Sequence, residues 1–160
     1  MILSFFESIK YVGHLFPVAF VRIYLGYYYF HIALLKFKSD FLFRPQLADQ
    51  ISEWLPQSMA PHWYKVFLTQ DLISHWKTLS FIIVGLEFAI GVSYLIGYVV
   101  RPMALLAFLL SLNYIFISPF HMSDQFKLLM TTHVLIAWIG AGRCIGMDYY
   151  FYKRHRGVWW

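Results

Sequence analysis

The chain has a single cysteine, Cys144. That excludes an intrachain disulfide, a CxxC dithiol and a cysteine-built zinc site, so any redox role needs other side chains, a bound cofactor or a partner subunit. Charge is also scarce. Asp, Glu, Lys and Arg make up 13% of the 160 residues, about half the ~25% of an ordinary soluble domain. Soluble-enzyme signatures are missing too: there is no P-loop, GxGxxG fingerprint, GxSxG elbow or paired-acid constellation. HExxH and HxxxH spacings are absent, so no metal site is expected. The Gly140–Arg143 stretch is glycine-rich but lacks the strand-to-helix setting of a phosphate loop. Neither an internal repeat nor a low-complexity segment is seen. The net charge of +5 would invite a nucleic-acid reading in a soluble protein, but no basic stripe interleaved with exposed aromatics accompanies it.

Apolar side chains fill the space that charge leaves, at 60% of the chain. They fall into four runs, approximately 15–35, 79–100, 103–120 and 126–147. A span needs about 20 mainly apolar residues to cross about 30 Å of hydrocarbon. The first three runs meet this; the fourth does so only if Lys127 and Arg143 reach to the interfaces. The expected fold is all-α: an integral membrane four-helix bundle, one domain over 1–160, with a long amphipathic loop between helices 1 and 2. Glu7 interrupts the first apolar stretch with no cleavage pattern after it, so the first span reads as retained.

Within that loop, Leu47, Ile51, Trp54 and Leu55 recur at helical spacing, as do Tyr64, Phe67, Leu68 and Leu72. Pro45, Pro56 and Pro61 punctuate them, which predicts one or two short amphipathic helices on the bilayer surface or over the bundle. Pro102 suits the first turn of a new helix, so the spans on either side are antiparallel neighbours. Aromatics such as Trp76, Tyr94, Tyr98, Tyr149–Tyr152, Trp159 and Trp160 sit near run ends, at headgroup level. Mid-span Tyr27 to Phe30 read as core. Lys and Arg divide six and six between the two sides. Those on the terminal side, Lys10, Arg101, Arg143, Lys153, Arg154 and Arg156, lie closer to span ends, which favours cytoplasmic termini in a bacterial or archaeal inner membrane. The Lys153–Arg156 run suits contact with anionic lipid.

Two charges lie inside spans, Arg22 and Glu87. Charges in hydrocarbon face the bundle interior and find partners. By helical rise Arg22 is about 10 Å and Glu87 about 12 Å from opposite faces, leaving roughly 8 Å of depth between them in a core of about 30 Å. An Arg22–Glu87 pair is therefore expected, either fixing helix register or as a catalytic pair with Glu87 binding a polar group or carrying protons. Gly26 and Gly91 each lie four residues beyond these charges and favour a close helix seam. His31, His133 and Asn113 are further buried polar candidates. His31 and His133 fall near the level of Glu87 and could share a pocket for haem, a metal or a proton relay; alternatively each bonds a neighbouring helix.

Four segments resemble one family. They are Val21-Arg22-Ile23-Tyr24-Leu25-Gly26 with Lys36; Pro61-His62-Trp63-Tyr64-Lys65-Val66-Phe67-Leu68; Glu87-Phe88-Ala89-Ile90-Gly91 with Leu95-Ile96-Gly97 and Arg101; and Gly140-Ala141-Gly142-Arg143 through Asp148. In order and spacing, over roughly 17 to 150, the chain resembles the DoxX/DoxD family of small four-helix membrane proteins. The resemblance implies the membrane subunit of a thiosulfate:quinone oxidoreductase, with quinone as cofactor, a partner subunit, and Arg22, Glu87 and Arg101 as shared polar core. Beside an oxidoreductase subunit stand two other readings: a non-catalytic membrane partner or assembly subunit, and a small-solute transporter, for which no inverted repeat is seen. Association into a homo-oligomer is left open.

Overall fold

The computed structural model describes residues 13–154. Glu7, Lys10, His155, Arg156, Trp159 and Trp160, used above for the first span, orientation and anchoring, lie outside the described residues. Six helices follow one another when His62–Ile96 is taken as one: α1 (Phe16–Lys38), α2 (Gln46–Trp54), α3 (His62–Ile96), α4 (Val100–Ile117), α5 (Phe120–Ile139) and α6 (Asp148–Arg154). Three of them, α1, α3 and α4, are long and apolar enough to cross a membrane. The protein is thus all-α and multi-pass.

The expectation of a four-helix bundle of membrane spans is corrected here. Among the described residues there are three span-grade helices in a six-helix fold. The run expected to span over 126–147 forms α5 further upstream, and α5 carries Ser123, Asp124, Gln125, Lys127, Thr131, Thr132 and His133. So many polar groups leave it without the apolar stretch that a span requires. It packs instead along α4, while α1 packs along α3 and α3 meets α4.

The connection after α1 is shorter and more ordered than its sequence suggests. Helix α2 forms where its apolar residues recur, with Leu47, Ala48 and Ile51 buried. The second amphipathic piece is not a separate surface helix. It is the first third of α3, joined to the rest through a π-helical turn, Leu68–Leu72, and a 3₁₀ turn, Ile73–His75. The π turn widens the helix locally and turns Leu68 fully inward. Leu68 joins Leu47, Ile51, Leu55, Val84 and Ile117 in an apolar core under α2. A second core, nearer the chain termini, gathers Leu25, Tyr29, Ile90, Tyr94, Ala104 and Ile136. Of the mid-span aromatics expected as core, only Tyr29 is buried; Tyr27 and Tyr28 are exposed on the outer side of α1.

The expected glycine seam is present. A side chain at Gly91 would lie 2.6 Å from the Phe30 backbone nitrogen, and one at Gly26 would lie 2.8 Å from that of Leu95. Backbone atoms cannot step aside as side chains can, so α1 and α3 approach this closely only because both positions are bare.

Gly91→Ala should therefore lower the melting temperature of the purified protein, the overlap costing about 1–3 kcal/mol. Gly85→Ala, on the same helix but facing open space, should leave it unchanged or raise it by up to about 1 kcal/mol through helix propensity. Equal losses at the two positions would count against the seam.

Candidate functional site

The polar side chains inside the fold form three groups at different heights. At the termini end, Arg22 on α1 is fully buried. It does not meet Glu87, and the expected Arg22–Glu87 pair is corrected. Nη1 donates to the Ala141 carbonyl at 2.8 Å and the Cys144 carbonyl at 3.2 Å, and Nη2 to the Ile145 carbonyl at 2.8 Å. These carbonyls belong to the turn after α5, which has left helical pairing and needs donors from elsewhere. Ile145 holds φ at +51°, a strained setting for a β-branched residue, and Arg22 grips its carbonyl. Gly142 and Gly146 leave room for the crowding; a side chain on Gly142 would collide with the Asp148 carboxylate.

Asp148 completes this closure. Its Oδ1 accepts from the Val99 N–H at 2.7 Å and its Oδ2 from the Val100 N–H at 3.1 Å, so a side chain 48 residues away in sequence caps α4. Val99, at φ +54°, is held in the left-handed region by that grip. Burial pushes the Asp148 carboxyl above its usual range, against the opposing pull of the Val100 and Val99 N–H groups, then Arg22 and Arg101. Burial likewise pushes the Cys144 thiol up, with Arg22 pulling it down.

At mid-height, His133 of α5 is fully buried. Its Nε2 lies 2.8 Å from the Tyr29 hydroxyl and its Nδ1 2.9 Å from the Tyr94 hydroxyl. A neutral imidazole has one donor and one acceptor nitrogen, so one tyrosine donates to His133 and the other accepts from it. His31 is exposed on the outer face of α1, stacked on Tyr27 with ring centroids 5.7 Å apart. The shared His31–His133 pocket is therefore corrected. One ring looks outward, and both nitrogens of the other are engaged. Among the described residues, no group of three or more His, Cys, Asp or Glu side chains is placed to hold a metal ion.

Toward the α2 end lies the third group. Lys36 Nζ meets Glu87 Oε1 at 2.6 Å and Oε2 at 2.8 Å. The Tyr114 hydroxyl donates to Glu87 Oε1 at 3.3 Å. The ammonium also lies 5.3 Å from the centre of the Phe41 ring, within cation–π range. Glu87 is 4% exposed and Lys36 20%, so the pair is largely shielded from solvent.

Tyr114 connects this group to a cleft of about 280 Å³ between α2, α3 and α4. Leu47, Ile51 and Trp54 roof it from α2; Ile83 and Leu86 line it from α3; Leu110 lines it from α4. Its polar side chains are Gln50, Asn113 and Tyr114. A second hollow, between α1 and α3, is lined by apolar side chains alone, among them Phe37, Leu42, Phe81 and Phe88.

Of the residues singled out in the sequence, then, the structure brings Glu87 and Asn113 to one region, with Tyr114 as the link. Arg22 and Arg101 lie at the far end, and His31 and His133 lie apart. Tyr29, Tyr94 and Tyr114 carry buried polar contacts that the sequence reading missed. The available signal was the phenol itself, since a hydroxyl within a span needs a partner.

Two outcomes follow. Lys36→Met and Glu87→Gln should each destabilise the protein, and the double variant should cost less than the sum, with a coupling of about 1–3 kcal/mol; a thermal double-mutant cycle measures it. Cys144 should resist a membrane-permeant maleimide in the folded protein. Arg22→Met should make it reactive by releasing the turn that buries it, as a labelling time course would show.

Compared with family models, with characterised proteins and with solved structures, the chain matches none.

Proposed function

We propose that this membrane protein binds a small amphiphile, with a single apolar chain in the cleft under α2 and a neutral polar head beside Asn113, Gln50 and Tyr114. The observation that carries the reading is the join between an apolar cleft and a hydrogen-bonded ion pair at one tyrosine, Tyr114. Ligand sites are mostly apolar with a few convergent polar groups, and a volume of about 300 Å³ is the low end of their range. That size suits one chain rather than the two tails of a phospholipid. The charges of Lys36 and Glu87 satisfy each other, so a charged head would find no counter-ion at this end of the cleft, whereas a carbonyl or hydroxyl would find amide and phenol partners.

Isoprenoid quinones meet this description, and they are the ligand class that the DoxX/DoxD resemblance implies. On that reading the chain is the amphiphile-holding membrane subunit of an assembly in a bacterial or archaeal inner membrane, and electron supply rests with a partner subunit. Glu87 would set the polarity of the head end through Tyr114, and Arg22 would be structural.

The test is binding to the purified full chain in nanodiscs, with an isoprenoid quinone, a fatty alcohol and a fatty acid as probes. Saturable binding of the neutral probes is expected. Ile83→Trp, which fills the cleft, should abolish it. Tyr114→Phe should weaken it by about three- to ten-fold, the worth of one net hydrogen bond. Absence of saturable binding, or binding that Ile83→Trp leaves untouched, would sink the proposal.

A further inference from the structure

Helix α5 is held to the fold by one side. Ser123, His133 and Ile136 are buried, and α4 is its main neighbour. On the opposite side His121, Asp124, Leu128, Thr131, Leu135 and Trp138 are all exposed. These six recur at alternating steps of three and four residues, so 121, 128 and 135 lie seven apart, as do 124, 131 and 138. That spacing is the seam of a left-handed helix pair, the a and d positions of a heptad. A strict seven-residue repeat keeps facing one neighbour as two helices wind around each other.

The face suits neither lipid nor water. Only Ser118 and Pro119 separate α5 from α4, so α5 runs back along a helix long and apolar enough to cross the membrane. Lys127 lies about 10 Å along α5 by helical rise. Its ammonium meets Asp124 Oδ1 at 2.8 Å, in a pair open to the outside. An ion pair at that depth is costly against hydrocarbon. Beyond it Leu128, Leu135 and Trp138 form an exposed apolar stretch that is out of place in water. The outer face of α4 differs: Leu105, Leu106, Leu109 and Phe116 are exposed there, and lipid alone satisfies them.

We infer that this face of α5 is the interface between two copies of the chain, packed parallel about a twofold axis along the membrane normal. A twofold pair sets each seam residue against its own counterpart: Leu128 on Leu128, Leu135 on Leu135, and the Trp138 rings together at one end. At the other end two Asp124–Lys127 pairs face each other. Each pair carries no net charge and brings its ammonium toward a second carboxylate, so the two faces are electrostatically complementary. Thr131, in mid-seam, is small and bonds its hydroxyl to the Lys127 carbonyl of its own helix, which lets the two backbones approach. A stable interface takes about 800 Å² from each partner. A 20-residue helix on whose outer face Trp138 is 84% and Leu128 70% exposed offers an area of that order. The inference rests on the membrane placement of α4, and not on the cleft under α2.

Single-molecule photobleaching of the full chain tests it, with one fluorophore on a terminal tag and reconstitution at low density in phosphatidylethanolamine–phosphatidylglycerol vesicles. Two bleaching steps per spot are expected. Leu128→Ala with Leu135→Ala should raise the dissociation constant of the pair about ten-fold or more. Both leucines are exposed in the single chain, so the variant should keep its fold. In a Cys144→Ala background, Leu128→Cys should cross-link to its own copy under mild oxidation, while Leu109→Cys, on the outer face of α4, should not. Where the double-alanine variant does not fold, this cross-linking comparison decides. Single-step bleaching of the wild type overturns the interface. So does a pair that the folded double-alanine variant leaves equally tight, or cross-linking at position 109 as fast as at 128.

Discussion

Arg22 brings its charge into the apolar interior at a depth where water cannot supply acceptors, and the turn after α5 supplies carbonyls that have no helical donors. Each need answers the other. Three carbonyls from one turn converge on one guanidinium, and the turn's backbone is fixed in a setting that Ile145 would not choose alone. A charge in hydrocarbon costs at least a few kcal/mol unless it is bonded, and an unpaired buried carbonyl adds to that. The same turn leads into Asp148, which caps α4 and holds Val99 in its left-handed setting. The relation between α1, α3, α4 and the end of α5 thus depends on two charged side chains, each bonded to backbone groups of a distant segment.

The ion pair at the opposite end follows a different logic. Glu87 is bound by an ammonium from the last turn of α1, and not by the guanidinium nearer that helix's start. Fourteen residues separate Arg22 from Lys36 along α1, about 21 Å of rise. Estimating depth from apolar run boundaries places Arg22 and Glu87 within reach of each other, but it treats Lys36 as an interfacial flank. A lysine can run its stem along apolar side chains and deliver its charge some way from its own Cα. Lys36 uses that reach inward, toward Glu87, rather than outward to water.

The legible parts of the fold were those written in local periodicity or in small residues. The spacing of Leu47 and Ile51 yields α2, and the Gly26 and Gly91 positions yield the α1–α3 seam. Pro102 in the first turn of α4 marks its start. What was not legible depends on polar groups whose partners lie far away in sequence. Thr131, Thr132 and His133 look tolerable within a run that includes Leu128 to Met130 and Val134 to Ile139, yet together they take α5 out of the span class. The second amphipathic piece reads as separate because Gln70, Asp71, Ser74 and His75 break its apolar pattern, whereas the backbone crosses that interval in a π turn and a 3₁₀ turn without stopping. For the candidate site, Glu87 and Asn113 stand out as polar residues in apolar runs. Tyr114, which joins them to the cleft, looks like one more aromatic.

The separation of the three polar groups bears on what chemistry the fold can hold. The Arg22 group bonds to the turn after α5, the His133 group to Tyr29 and Tyr94, and the Glu87 group to Lys36 and Tyr114. The core around Leu25, Ile90 and Ala107 encloses the Tyr29–His133–Tyr94 set, and the core around Val84 and Ile117 lies under α2. Most of the polar atoms are satisfied within their own set: both His133 nitrogens by phenols, Glu87 by Lys36 and Tyr114, and the two terminal nitrogens of Arg22 by carbonyls, while its Nε is left without a partner. Bonded sets of this kind give rigidity and a unique packing. The cleft under α2 differs because the Gln50 and Asn113 amides border open volume there, beside a Tyr114 whose hydroxyl is already bonded to Glu87. That edge between polar groups and open volume is the feature on which the proposed binding depends.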